Sequence, residues 1–190
     1  MTLEQVLERI PPLDAEAMAQ AKQHWDALAK PLHGLGDLED VLIRIAGICR
    51  TPHIDLRNKA VVVMCADNGV VAEGISQSGQ DVTQIITENL GKGTSTVCHM
   101  ARAAGADVIP VDIGVASDIH GSGVVPRKIA RGTHNFAKQP AMSRDQAVQA
   151  IGVGIETALL CKQHGYDVVA TGEMGIGNTT STAAVTAALL

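Results

Sequence analysis

The residues best placed to do chemistry lie in Thr171-Gly172-Glu173-Met174-Gly175-Ile176-Gly177-Asn178-Thr179-Thr180. The stretch follows an apolar run, Tyr166 to Ala170, and precedes a small-residue segment, Ser181 to Leu190. That order predicts a strand over 166–171, a glycine turn and a helix. Glycines at 172, 175 and 177 let backbone N–H groups approach a ligand closely. Asn178, Thr179 or Thr180 is expected to cap the helix, whose first N–H groups carry partial positive charge. A phosphate or carboxylate suits such a helix start. An ordinary tight turn would use the same glycines. Glu173 favours a site, because a carboxylate at the C-terminal edge of a strand lies where open α/β sheets bind ligands.

Other candidates are more dispersed. Asp67 and Asp112 each follow or close an apolar run, and Ser78 sits in a polar, glycine-bearing loop over 67–80. Loops at strand ends concentrate function, although a bare loop serine is also a common turn former. Arg127, Lys128 and Arg131 form a basic cluster that reads as a solvated loop face. Four cysteines and seven histidines are scattered without metal-ligand spacing, so no metal site or disulfide framework is expected.

These groups need a scaffold, and the chain predicts one. Lys59 to Ala66 is continuously apolar after its first residue, as a parallel strand covered on both faces should be. Ala106 to Gly114 predicts a second strand, in which Pro110 argues against a central position. Helices are expected after Gln80, with Val82, Ile85, Ile86 and Leu90 inward, and from Thr94 or Ser95 to Gly105. Residues 115–142 read as irregular. Ser143 and Gln146 form a capping box at the start of a long helix whose Val148, Ile151, Ile155 and Leu159 face inward. Gly152 and Gly154 each cost that helix about 1 kcal/mol relative to Ala, which suggests close packing there. Residues 1–35 read as a helical arm that packs on the domain or on a partner subunit. Asp14 caps its second helix, in which Met18, Ala21, Trp25 and Leu28 share a face. Asp37 opens a further helix with Leu38, Val41, Leu42, Ile45 and Ile48 on one side. Alternating strands and helices predict an α/β fold with a mostly parallel, Rossmann-like sheet and flanking helices.

Composition narrows the class. The 190 residues are 46% apolar with only one Trp, one Tyr and one Phe, which favours small-residue helix–sheet packing. A net charge of −5 argues against nucleic acid as a partner. No apolar run is long enough to span a bilayer. No basic region followed by an apolar one opens the chain, so a cytoplasmic location is expected.

Several separated motifs, in order, resemble those of the nicotinate-nucleotide–dimethylbenzimidazole phosphoribosyltransferase family. They are Gly36-Asp37-Leu38-Glu39, Cys65 to Gly74, Val111 to Val115, Arg131 to Phe136 with Pro140-Ala141-Met142, and Gly172 to Thr180. Together they span most of residues 36–182. The family usually has His where this chain has Asn68. Family enzymes are also nearly twice this length, so the resemblance implies an N-terminal half. On that reading residues 36–190 are a phosphoribosyltransferase-like domain truncated at its C-terminal end, with an incomplete sheet. The glutamate usually assigned as general base would belong to the second half.

The resemblance implies phosphoribosyl transfer from nicotinate mononucleotide to 5,6-dimethylbenzimidazole, giving α-ribazole 5′-phosphate and nicotinate. A ring nitrogen attacks the anomeric carbon as nicotinate leaves. Glu173 is the implied catalytic residue, stabilising positive character on the ribose. Gly175, Ile176, Gly177, Asn178, Thr179 and Thr180 would hold the phosphate. Ser78 matches a position lining the benzimidazole pocket, and Asp67 would either reach ribose or cap a turn. Arg127, Lys128 and Arg131 could meet the carboxylate of nicotinate. No cofactor is implied, and a homodimer is. Two other readings stay open: a non-catalytic nucleotide- or benzimidazole-binding module, and a dinucleotide-binding Rossmann domain. The second is disfavoured, because Gly-x-x-Gly-x-Gly differs from Gly-x-Gly-x-x-Gly and stands far from the first strand.

Overall fold

The computed structural model describes residues 3–121 and 123–190. The chain packs as two compact units, Met1–Leu56 and Arg57–Leu190.

The first unit holds α1 (Leu3–Leu7), α2 (Ala15–Ala27) and α3 (Asp37–Cys49). Asp14 caps α2, its Oδ1 accepting from the Ala17 N–H at 2.9 Å. The chain's third helix, expected to start the α/β domain, packs on α2 in this unit. Its inward residues also differ from expectation. Leu38, Val41 and Ile48 are exposed, whereas Glu39, Ala46 and Gly47 are buried. Met18 of α2 lies so close that a Cβ on Gly47 would come within 2.7 Å of its Cγ. A narrow contact of small residues therefore outcompetes the broader apolar stripe. Glu39 is held by Lys30 at 2.8 Å and by the Leu35 N–H at 2.9 Å. Those bonds, the one from Lys30 first, hold its carboxyl below the ordinary range.

The second unit is built on a four-stranded sheet, ordered β3-β2-β1-β4 among the described residues. The strands are β1 (Lys59–Ala66), β2 (Ala106–Gly114), β3 (Val125–Pro126) and β4 (Val168–Met174), and all pairings are parallel. β1 is central and apolar because both its faces are covered. Val63 and Cys65 pack with Leu90 of α4 (Asp81–Gly91) and Cys98 of α5 (Thr96–Ala103). Val62, on the opposite face by strand alternation, packs with Val111 and with Cys161 of α6 (Arg144–Gln163). Pro110 is accommodated because β3 pairs with β2 only at Val111 and Asp112. Elsewhere that side of β2 is an edge, where a residue without an N–H is tolerated.

Two helices turn differently from the periodicity. α6 starts at the capping box expected, with Ser143 and Gln146 bonded reciprocally. Yet Val148, Ile151 and Leu159 are exposed, and Val153, Thr157 and Cys161 face the sheet. Nothing lies within 4 Å of where a Cβ would sit on Gly152 or Gly154, so close packing does not account for them. In α4 the buried face is Thr83, Thr87 and Leu90, while Ile85 is exposed. Buried threonines are tolerable here because the Thr87 hydroxyl donates to the Thr83 carbonyl at 2.7 Å.

β4 is paired on one side only among the described residues, and α7 (Asn178–Leu189) buries none of its side chains. Val168, Val169, Val185 and Leu189 are exposed. No described helix is long and apolar enough to cross a membrane.

All four cysteines are free, and only Cys49 is exposed. Burial pushes the Cys65 thiol up to about 11. An alkylating reagent at neutral pH should therefore label Cys49 within minutes, leaving Cys65, Cys98 and Cys161 unmodified until denaturant is added. Mass spectrometry of the native digest checks this, and rapid labelling of Cys65 would contradict the packing of β1.

Candidate functional site

The turn after β4 is assembled from three contacts. Glu173 pairs with Met64 in the β1–β4 ladder, so the strand runs three residues beyond its expected end and carries the carboxylate itself. At Gly175 a Cβ would overlap the Ala66 carbonyl oxygen. The same point lies 2.8 Å from Asn68 Nδ2 and 3.2 Å from Glu173 Oε1. Glycine is required there by crowding against β1. Gly177 is required for a different reason, since its φ of 85° lies in the left-handed region. The intervening Ile176 donates its N–H to Thr83 Oγ1 at 3.1 Å and accepts from Asn68 Nδ2 at 3.2 Å.

α7 then begins at Asn178, with Gly177 as N-cap and no side-chain capping bond. The expected cap by Asn178, Thr179 or Thr180 is not formed. Asn178 Nδ2 instead donates a hydrogen bond to Glu173 Oε2. The carboxylate thereby lies against the first turn of the helix, whose N–H groups favour negative charge. Desolvation nevertheless raises the Glu173 carboxyl above its ordinary value, with the Asn178 bond opposing.

The loop over 67–80 meets the glycine turn at the same, C-terminal edge of the sheet. It opens with a 3₁₀ turn at Gly69–Glu73. Ser78 is exposed, its N–H donating to Ser76 Oγ at 3.1 Å. Asp67 is only 1% exposed. Its Oδ2 accepts from the Ala116 N–H at 2.8 Å, while Oδ1 is buried with no partner among the described residues. Asp112 accepts from the Val115 N–H at 2.9 Å and pairs with Lys128 at 3.2 Å, so it caps a turn. The basic cluster is likewise engaged. Lys128 donates to the carbonyls of Val115 and Ser117, and Arg131 binds the Ala116 carbonyl and, at 2.6 Å, Asp118. These two cations brace residues 115–118. Arg127 donates to the Pro126 carbonyl and lies 4.0 Å from Glu156.

The structure thus brings Glu173 and residues 175–180 together beside Asn68, Thr83 and Ser181, none of which sequence reasoning selected as site residues. The only trace of Thr83 in the sequence is its i, i+4 spacing with Thr87 on a helix otherwise patterned by Ile, Val and Leu. A separate cavity of about 270 Å³ borders the same edge on the α6 side, lined by Ala66, Gly114, Thr133, Met142 and Gln146 among others. Glu173 and Ser78 do not line it.

A family model described as phosphoribosyltransferase matches residues 10–190. The chain belongs to that family. It is 44% identical over its full 190 residues to the nicotinate-nucleotide–dimethylbenzimidazole phosphoribosyltransferase of Ruminiclostridium cellulolyticum, of which it covers 54%. Over 188 residues it is 46% identical to the enzyme of that name from Chloroflexus aggregans, covering 53% of it. The crystal structure of the Thermus thermophilus enzyme of the same name superposes with a TM-score of 0.89 at 41% identity, over 93% of this chain and 54% of that one. This phosphoribosyltransferase-family chain therefore spans about half the length of the relatives it matches. The parallel α/β architecture expected from the sequence is the one these relatives share.

Proposed function

We infer that the chain acts in phosphoribosyl transfer from nicotinate mononucleotide to 5,6-dimethylbenzimidazole, the chemistry named for its relatives. One observation carries the site reading: a carboxylate, Glu173, stands at the C-terminal edge of a parallel sheet, against a glycine turn and a helix start. That is the edge at which open α/β sheets hold ligands. Glu173 would face the anomeric carbon and stabilise its positive character as the bond to nicotinate breaks. The N–H groups of Gly175, Gly177, Thr179 and Thr180 would hold the phosphate, with Ile176 and Asn178, whose own N–H groups bond Thr83 and the Gly175 carbonyl, shaping the turn around it. Ser78 would line the azole pocket, and Asp67, buried and accepting from the Ala116 N–H, fits the turn-capping role. The azole proton needs a general base, which the family resemblance assigns to the part of the family length outside these residues.

The 190-residue chain should therefore bind nicotinate mononucleotide weakly and turn it over poorly. Release of nicotinate with dimethylbenzimidazole as acceptor tests this. It should be measured for the chain alone and for a form carrying the rest of the family length. Turnover by the chain alone at a normal enzyme rate would refute the assignment of the base. Absence of transfer to any azole by the longer form would refute the reading. The reading takes the longer form to be a cytoplasmic homodimer, and the exposed apolar faces of α3 and α7 support an association of that kind. A monomer in sedimentation across a wide concentration range would count against the dimer.

The pH dependence follows from the raised Glu173 carboxyl. The charged form is the one that stabilises a developing cation. Activity of the longer form should therefore rise with pH through the folded-state value, and the acid limb of kcat/KM should lie above the ordinary glutamate value of 4.5. An acid limb below that value would mean that another group sets it.

A further inference from the structure

We propose that Asn68 and Thr83 are positioning residues that clamp the two peptide units flanking Ile176 and thereby set the direction of Glu173. The proposal rests on the reading of Glu173 as the site carboxylate. Ile176 lies three residues after Glu173, at the crest of the turn. Its N–H is taken by Thr83 Oγ1 at 3.1 Å, from α4. Its carbonyl is taken by Asn68 Nδ2 at 3.2 Å, from the end of β1. The two peptide planes that meet at the Ile176 Cα, Gly175–Ile176 and Ile176–Gly177, are therefore each held by an element that belongs to neither β4 nor α7. Because each peptide unit is planar, anchoring one polar atom in each of the two consecutive planes restricts the φ and ψ of Ile176 between them.

Asn68 is tied in on its other atoms too. Its Oδ1 accepts from the Ser181 hydroxyl at 2.8 Å, in the first turn of α7. Its carbonyl accepts from Gln80 Nε2 and from the Val71 N–H, both at 3.2 Å. The side-chain amide of Asn68 thus ties the glycine turn to α7, while its main-chain carbonyl holds the 67–80 loop. The side chain also borders the carboxylate directly. The space above Gly175 lies 2.8 Å from Asn68 Nδ2 and 3.2 Å from Glu173 Oε1. Thr83 is fully buried, so its hydroxyl is held in one place by packing. Gly175 and Gly177 have no side chains to steady the turn, and the clamp supplies the constraint that they lack.

The test uses the 190-residue chain labelled with ¹⁵N and with ¹³C at glutamate Cδ. Thr83→Val replaces the hydroxyl by a methyl of similar size. The Ile176 amide should then exchange about fivefold to tenfold faster, as expected for one lost hydrogen bond, with the β1 and β2 amides unchanged. The Glu173 Cδ resonance should move as well. Thr83→Ser keeps the hydroxyl and should restore both signals. Asn68→Ala should shift the Glu173 resonance through the second of the two peptide units, Ile176–Gly177. Ser181→Ala, which removes only the bond to Asn68 Oδ1, should give a smaller shift in the same direction and serves if Asn68→Ala fails to fold. Unchanged Ile176 exchange in Thr83→Val would overturn the clamp. Faster exchange with a stationary Glu173 resonance would also overturn the proposal, because the two residues would then support the fold without aiming the carboxylate. Neither readout needs turnover, so failure of phosphoribosyl transfer is detected separately, by nicotinate release.

Discussion

Glu173→Gln should lower nicotinate release by roughly 10²–10³-fold in a form carrying the full family length, the loss typical of removing one preorganised electrostatic group. The amide is nearly isosteric with the carboxylate and can still accept from Asn178 Nδ2, so the turn should survive. What disappears is the negative charge beside the reacting carbon. The substitution should leave KM for nicotinate mononucleotide within a few-fold, because charge on the ribose develops in the transition state. Its effect on stability has the opposite sign. Burial raises the folded-state carboxyl of Glu173. Protonation therefore favours the folded chain, and that contribution is present below the unfolded value and lost as pH rises through the folded one. At neutral pH the charged carboxylate opposes folding, and Glu173→Gln should be at least as stable as the parent. Thermal denaturation at pH 7 together with the nicotinate assay checks both halves. A variant that kept full activity would remove Glu173 from the mechanism.

Gly175→Ala should cost at least about 1–3 kcal/mol of stability, the range for overpacking a filled site. The added Cβ would meet the Ala66 carbonyl oxygen, a backbone atom that no rotamer change can move away. The ends of β1 and β4 would have to separate, carrying Glu173 away from Asn68. Activity should fall with stability, since misplacement of about 1 Å can cost on the order of 10²-fold. Gly152→Ala is the matching control. It lies in α6 with open space around it, so it should be neutral or stabilise by up to about 1 kcal/mol. Urea denaturation of the two variants side by side would decide. Equal midpoints would show that the turn accommodates a methyl group and that crowding does not explain the glycine.

Local patterns that depend on neighbours in sequence were legible without coordinates. β1 is readable because a strand covered on both faces must be apolar throughout, and Lys59–Ala66 is. The start of α6 is readable because Ser143 and Gln146 satisfy each other's backbone within one turn. The Asp14 cap follows from the same short-range chemistry. The strand–turn–helix order around Glu173 is readable for that reason too, although apolar patterning ends the strand at Thr171 while the sheet carries it to Met174. Periodicity cannot see that Glu173 still has Met64 to pair with.

Which face of a helix is buried was decided only by tertiary packing. α6 carries two apolar stripes, and the one ending in Cys161 meets Val62 and Val111 while Val148, Ile151 and Leu159 stay exposed. α3 buries Ala46 and Gly47 because Met18 approaches closely, a contact between residues almost thirty positions apart. The surroundings of Glu173 belong to the same class. Asn68 and Thr83 lie about 90 to 110 residues from Ile176, Ser181 lies just as far from its partner Asn68, and nothing local marks them as partners. The sequence by itself determined the parallel α/β class, the position of the carboxylate and glycine turn, and the family. The tertiary structure decided what grips that turn, because hydrogen bonds between distant elements exist only once the sheet has brought their ends to one edge.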